Sequence, residues 1–178
     1  WRSPSMSCTS PAHGIPLKSA VDSRTEGVRL RPASTDASRD FNSGGKLLFY
    51  DFTKSDSATP ASGGANDYYG HGTHVAGLIA SSGAASKGQY EGVAPGARLI
   101  VLKALDENGQ GFTSTVVNAI NFAVTNKQQL GIDVLNLSLG HPIYEPAATD
   151  PLVQAVERAV AAGIVVVASA GNFGVNAT

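Results

Sequence analysis

The chain has 178 residues, of which 42% are hydrophobic and 15% are charged, and its formal net charge is −1. This composition is typical of a globular domain and excludes disorder throughout the chain. Because no run of like charges occurs, we expect no nucleic acid as a partner. We expect no membrane partner either, since no stretch reaches the roughly 18 apolar residues that a membrane helix needs. The single cysteine, Cys8, excludes an internal disulfide.

Residues 1–45 differ in composition from the rest of the chain. Only 13 of these 45 residues are hydrophobic, and five of the seven arginines of the chain lie before residue 40. No helical or strand periodicity extends through them. We interpret 1–45 as an irregular segment that is either inserted or translated in the wrong frame, and 46–178 as the domain. Since Trp1 is not a start methionine and no closing element precedes Thr178, we expect the chain to be a fragment.

From residue 46 onward, apolar strands alternate with amphipathic helices. The expected strands are 47–52, 97–104, 132–138 and 164–169, and the expected helices are 71–81, 113–126 with Thr113 or Ser114 as its cap, and 151–162. Continuous apolar strands separated by such helices predict a doubly wound α/β fold, a parallel sheet with helices on both faces. A site in such a sheet lies beyond the carboxyl ends of the strands. We therefore expect the loops 105–111, 139–141 and 170–172 to converge.

A histidine begins the first predicted helix, in the string Tyr69-Gly70-His71-Gly72-Thr73-His74. At this position the positive end of the helix opposes protonation, which keeps the imidazole neutral, as a general base must be. A purely structural histidine is the alternative. His71 and His74 could also bind a metal from one helical face, although no acidic or third ligand completes such a site.

The string 69–77 resembles the histidine motif of the subtilisin-like (S8) serine peptidases. The resemblance covers roughly residues 46–178, and it includes the turn 92–97, the strand end 136–140 and the segment 168–172. It implies a subtilisin-like fold that is incomplete at its C-terminus, and 46–178 would be part of the catalytic domain. The implied activity is that of a serine endopeptidase, which cleaves peptide bonds through an acyl-enzyme.

The resemblance also implies roles for particular residues. His71 would be the catalytic base, and Asn172 would donate a hydrogen bond to the oxyanion. On its own residue type, Asn172 could instead simply turn the chain. The nearest match to the aspartate of the triad is Asp22, but Arg24 stands where that motif has glycine.

An extended polypeptide is the partner that the resemblance implies. The peptide would pair by β-augmentation with two segments whose glycines leave backbone groups open, formed by Gly109, Gly111, Ser138, Leu139 and Gly140. Calcium often accompanies this family, but no cluster of carboxylates in the sequence forms a site by itself, so we expect no cofactor. We expect a secreted or extracytoplasmic protein only because this is common in the family that the chain resembles.

A nucleophilic serine is missing from the chain. The family carries it in a Gly-Thr-Ser motif after the histidine, and no Gly-Thr-Ser occurs in the 178 residues. We expect the chain alone to be inactive. A pseudo-peptidase that binds peptides without cleaving them stays open as an alternative. A nucleotide-binding domain is disfavoured because Gly70-His71-Gly72 lacks the third glycine of a phosphate-binding loop.

Overall fold

The computed structural model of the chain describes residues 16–18, 40–41, 47–54, 61–62 and 66–172. Most of the irregular segment 1–45, including Asp22, lies outside these residues. The strands are β1 (Pro16–Lys18), β2 (Leu47–Asp51), β3 (Ala61–Ser62), β4 (Leu99–Lys103), β5 (Gln110–Phe112), β6 (Val134–Leu137) and β7 (Val165–Ala168). The helices are α1 (His71–Ala80), α2 (Thr113–Thr125), α3 (Lys127–Leu130) and α4 (Pro151–Ala161), with a short 3-10 turn at Ala84–Ser86.

The strands pair in the parallel manner that the sequence predicts. β2 runs parallel to β4 with Leu47 opposite Leu99, and β6 runs parallel to β7 with Val134 opposite Val165. β3 pairs antiparallel with β2, and β1 pairs antiparallel with β5. The structure therefore confirms the α/β class, although the described strands form three separate ladders rather than one continuous sheet.

Helices α2 and α4 pack together over a core of small and β-branched side chains. Ala123, Ala155 and Ala159 are completely buried, and Val116 and Ile120 are almost so. The alanines let the two helix backbones approach closely. The ring of Phe122 in α2 packs against two aromatic rings, those of Tyr50 in β2 and of Phe52. The distances between ring centroids are 4.8 Å to Tyr50 and 5.6 Å to Phe52. One core therefore joins the helices to the β2 ladder.

The start of α4 has a capping side chain, whereas the start of α2 does not. The Asp150 side chain accepts hydrogen bonds from two N–H groups of the first turn of α4, and Pro151 is the first helical residue. α2 begins after Phe112, which has no capping side chain, and Thr113 is already helical and buried. The predicted cap at Thr113 or Ser114 is therefore wrong, because the turn out of β5 sets the start of the helix.

The segment after α1 completes the hydrogen bonding of that helix. The N–H groups of residues 92–94 donate to carbonyl oxygens within 78–81 at 2.7 to 3.0 Å. The last carbonyls of a helix have no partners inside the helix, so these bonds satisfy groups that would otherwise need water. A Cβ atom on Gly92 would lie 2.6 Å from the Ala80 nitrogen, which explains why glycine occupies this position.

One face of the β6 and β7 ladder is exposed. Val166 packs against the core, whereas Val134, Val165 and Val167 are more than half exposed. The apolar runs had predicted strands that are buried on both faces.

Within the described residues, no helix is long and apolar enough to cross a membrane.

Stability should depend strongly on the packing of α2. Replacing the buried Ile120 by alanine removes core contacts and leaves a cavity, so we expect Ile120→Ala to lower the free energy of unfolding by about 2 to 5 kcal/mol. The matched control is Val160→Ala, because Val160 of α4 is mostly exposed. Urea unfolding monitored by circular dichroism measures both variants, and equal midpoints would contradict this account of the core.

Candidate active site

The start of helix α1 is fixed by a carboxylate outside the helix. Gly70 precedes the helix with φ of 87°, and Asp67 Oδ1 accepts a hydrogen bond from the Gly70 N–H at 2.9 Å. Asp67 Oδ2 accepts from the Thr73 N–H at 2.7 Å and from the Thr73 hydroxyl at 2.9 Å. A negative charge is favourable at a helix N-terminus, where the N–H groups have no helical partners. Asp67 therefore determines where His71, the first helical residue, is placed.

His71 is half-buried, and its surroundings lower its pKa. Burial is the largest cause, because it disfavours the charged imidazolium. The charge of Asp67 acts in the opposite direction and raises the pKa, while the nearby His74 lowers it. The net result is an imidazole that is neutral near neutral pH, which is the state in which it can accept a proton.

The first of the two predicted substrate segments contacts the start of α1. Gly109 is buried, and a Cβ atom placed on it would lie 2.8 Å from the Tyr69 ring. A Cβ atom on Gly111 would lie 2.6 Å from the carbonyl oxygen of Ala104. Close approach to backbone therefore requires glycine at 111, and a φ of 69° favours glycine at 109. The contact of Gly109 with Tyr69 places the start of β5 near the histidine helix.

The loop before β5 is held by a second aspartate. Asp106 Oδ1 accepts from the N–H groups of Asn108 at 2.8 Å and Gln110 at 2.9 Å. The backbone hydrogen bond from Gln110, together with that from Asn108, lowers the pKa of the Asp106 carboxyl below its ordinary value. One edge of β5 is paired with β1, with Leu17 opposite Gly111, so the chain itself uses this edge.

A cleft of about 280 Å³ lies beyond the carboxyl ends of β2 and β4. Its lining combines residues that follow these strands with all of β5 and one residue of α2: Thr53, Ala104, Asp106, Gln110, Gly111, Phe112 and Thr115. This is the edge of the strands at which a site is expected in an α/β fold. His71 is not among the residues that line the cleft. The cleft is therefore not the pocket in which the histidine lies.

The second predicted substrate segment follows β6 and contacts the end of β7. The Ser169 N–H donates to the Leu137 carbonyl oxygen at 3.1 Å, and the Ser169 hydroxyl donates to the Leu139 carbonyl oxygen at 3.4 Å. The Ser138 hydroxyl accepts from the Asn136 amide at 2.8 Å. Asn172 lies just beyond, in the exposed turn after β7. The structure therefore groups Ser138, Leu139 and Gly140 with the segment that leads to Asn172.

The contacts of the predicted residues thus form two groups. In one, Gly109 lies against Tyr69, two residues before His71, and in the other, Leu139 contacts Ser169, three residues before Asn172. Asp22 belongs to neither, since it lies outside the described residues. In the described part of the chain, no cluster of three or more His, Cys, Asp or Glu could hold a metal ion, and this includes His71 with His74.

The comparisons with known proteins give the affiliation of the chain. The model of the subtilase family, Peptidase S8, matches residues 39–178. The chain belongs to the subtilase family. The match begins slightly before residue 46, and the boundary of the domain at 46 stays a prediction.

Several subtilases resemble the chain in sequence or in structure. It is 44% identical over 113 residues to serine protease AprX of Bacillus subtilis and 46% identical over 110 residues to the major intracellular serine protease of the same organism. Each match covers 61% of the chain, but only 26% and 31% of those two proteins. The solved structure of sphericase is similar with a TM-score of 0.62 and 25% identity, over 81% of this chain and 55% of that one.

Sequence reasoning did not find the two residues that position the histidine helix. Asp67 stands several residues before the helix, outside the usual N-cap position, and only its pairing with Thr73 across the turn reveals its role. Tyr69 lies within the matched motif, but its packing on Gly109 joins segments far apart in the chain. A search for an acidic residue that precedes a glycine N-cap would have found Asp67.

Asp67 should tune the basicity of His71. Its negative charge stabilises the imidazolium, so Asp67→Asn should move the pKa of His71 further below its ordinary value while an oxygen still accepts at the helix start. NMR titration of the His71 ring measures this. Asp133→Asn, which removes an exposed carboxylate before β6, is the control. An unchanged or raised pKa in Asp67→Asn would contradict the assignment.

Proposed function

We propose that the protein containing this chain is a serine-type endopeptidase. The observation that carries the proposal is the neutral His71, held at the start of α1 by Asp67 in a chain of the subtilase family. The chain also shares 44% and 46% identity with two proteins that are named serine proteases. The nucleophilic serine would lie in residues beyond Thr178, and the 178-residue chain alone would not hydrolyse peptides.

In the proposed reaction, His71 acts as the general base. Its neutral ring accepts the proton of the serine hydroxyl as the serine oxygen attacks the substrate carbonyl, and it then gives this proton to the leaving amine. Water hydrolyses the resulting acyl-enzyme by the same route. A nearby carboxylate favours the imidazolium formed in each step. Asp22 is the residue that the motif assigns to this task, and Asp67 acts on the charge of the same ring.

Asn172 is the proposed donor to the oxyanion. It lies in the turn after β7, where an amide N–H can reach charge that builds on a carbonyl oxygen. Such a donor stabilises the tetrahedral intermediate more than the ground state, so it acts on kcat rather than on substrate binding.

The proposed substrate is an extended polypeptide. Ser138, Leu139 and Gly140 continue directly from β6, and the Ser169 hydroxyl donates to the carbonyl oxygen of Leu139 in this segment. Gly109 and Gly111 flank Gln110, the first residue of β5, and Gly109 lies against the ring of Tyr69, two residues before His71. A peptide that pairs with such segments gains backbone hydrogen bonds that do not depend on its sequence, which suits broad specificity.

A peptide-binding pseudo-peptidase is the second candidate. It stays open because no Gly-Thr-Ser motif lies within the 178 residues. Both candidates predict peptide binding, but only the peptidase predicts a reactive serine in the full-length protein.

A fluorophosphonate probe distinguishes the two candidates. It should label one serine of the full-length protein, and His71→Ala should reduce the labelling rate by at least about 10² because the serine then lacks its base. Glu157→Gln, at an exposed position of α4, is the control and should label normally. Absence of labelling in the wild-type protein would favour the pseudo-peptidase.

Replacement of Asn172 tests the oxyanion role. Asn172→Leu in the full-length protein should lower kcat by about 10² to 10³ with KM little changed, the loss measured when such a donor is removed from a subtilisin. Steady-state kinetics on a chromogenic peptide measure both constants. An unchanged kcat would indicate that Asn172 only turns the chain.

A further inference from the structure

His141 and Asp150 form a contact that neither the family motifs nor the proposed reaction uses. His141 Nε2 lies 3.4 Å from Asp150 Oδ2, and each side chain exposes only 9% of its surface. The other carboxylate oxygen of Asp150 caps helix α4, accepting from the N–H groups of Leu152 at 2.8 Å and Val153 at 3.3 Å. The ring of His141 is thereby tied to the fixed N-terminus of a core helix.

The second ring nitrogen of His141 is held as well. Nδ1 lies 2.7 Å from the carbonyl oxygen of Pro142, which is an acceptor, so Nδ1 donates. The ring also stacks on Tyr144, with a centroid distance of 6.1 Å and an angle of 9°. Each of the two ring nitrogens therefore faces an oxygen atom of a neighbouring residue. Three contacts therefore fix the orientation of His141.

The position of His141 in the chain gives this contact its significance. His141 directly follows Gly140, the last residue of the proposed substrate segment 138–140. At the other side of that segment, the Ser169 hydroxyl holds the Leu139 carbonyl oxygen. Beyond His141 the loop reaches outward, where Ile143 is 91% exposed, and it returns to the core at the cap residue Asp150.

We propose that His141 is a positioning residue for peptide binding: its contact with Asp150 holds the Gly140 end of the substrate segment against the N-terminus of α4. The inference rests on the proposed function of that segment. A peptide that adds as a strand needs backbone groups already in place, and ordering a loose segment upon binding would cost affinity. Loss of the contact therefore acts on substrate binding and leaves the chemical step to His71.

The experiment uses the full-length protein and two readouts, the binding of a fluorescein-labelled extended peptide and the kinetics of its hydrolysis. His141→Ala should raise the peptide Kd and KM by about three- to tenfold, the size of effect expected from one coupled contact, with kcat within about twofold. Asp150→Ser retains a capping oxygen for α4 but removes the one that faces His141, so it should have the same effect. The double variant should be no worse than either single variant.

The controls separate positioning from stability. Thr149→Ala removes the hydroxyl bond to the Pro146 carbonyl oxygen in the same loop without touching His141, and it should leave KM unchanged. His141→Gln keeps an amide donor and should recover part of the lost affinity. Unchanged binding in His141→Ala, whatever its thermal stability, would overturn the proposal, as would additive effects of the two single variants.

The outcomes also separate this inference from the proposed function. If the wild-type protein binds the peptide without cleaving it, the peptidase fails, and the positioning role stands or falls on the Kd of His141→Ala. If it cleaves the peptide and His141→Ala behaves as wild type, only the positioning role fails. If it binds no peptide, both are overturned.

Discussion

The hydrogen bonds that Asp67 accepts at the start of helix α1 are the interaction on which the rest of the candidate site depends. One carboxylate binds the N–H groups of Gly70 and Thr73 and thereby determines the residue at which the helix begins. This places His71 in the first turn, half-buried, and Tyr69, whose ring lies against Gly109, falls between Asp67 and Gly70. The same charge opposes the effect of burial on the pKa of His71. Local capping, the placement of the base and its basicity therefore have a common origin.

Aspartates placed at helix and loop starts recur in the structure. Asp106 holds the loop before β5 by accepting from two backbone N–H groups, and Asp150 caps α4. In each case the carboxylate satisfies N–H groups that secondary structure leaves unpaired. Asp150 also directs its second oxygen at a side chain, that of His141, on the loop that follows the proposed substrate segment. One capping residue thus contacts both the N-terminus of a core helix and the loop after the proposed substrate segment.

The sequence predicted the elements well because each carries its own periodic signal. The predicted helix 151–162 corresponds to Pro151–Ala161, since Asp150, Pro151 and Gly163 mark its ends, and the strand 164–169 corresponds to Val165–Ala168. The predicted cap of α2 failed because the chain enters that helix directly from β5, which is a tertiary constraint. The expectation that β7 is buried on both faces also failed for Val165 and Val167, since an apolar run does not reveal which neighbours cover each face.

By itself the sequence determined the α/β class and the family, because these depend on local periodicity and on a contiguous motif around His71. It also predicted the residues that would carry the chemistry. It also determined that no Gly-Thr-Ser motif lies within these 178 residues. Only the tertiary structure decided which segments meet: Tyr69 with Gly109, Leu139 with Ser169, and His141 with Asp150. Two of these contacts join residues separated by 30 or more positions, and the third crosses a loop. Side chains at such distances carry no shared periodicity, so their contact is set by the packing of the helices and strands between them.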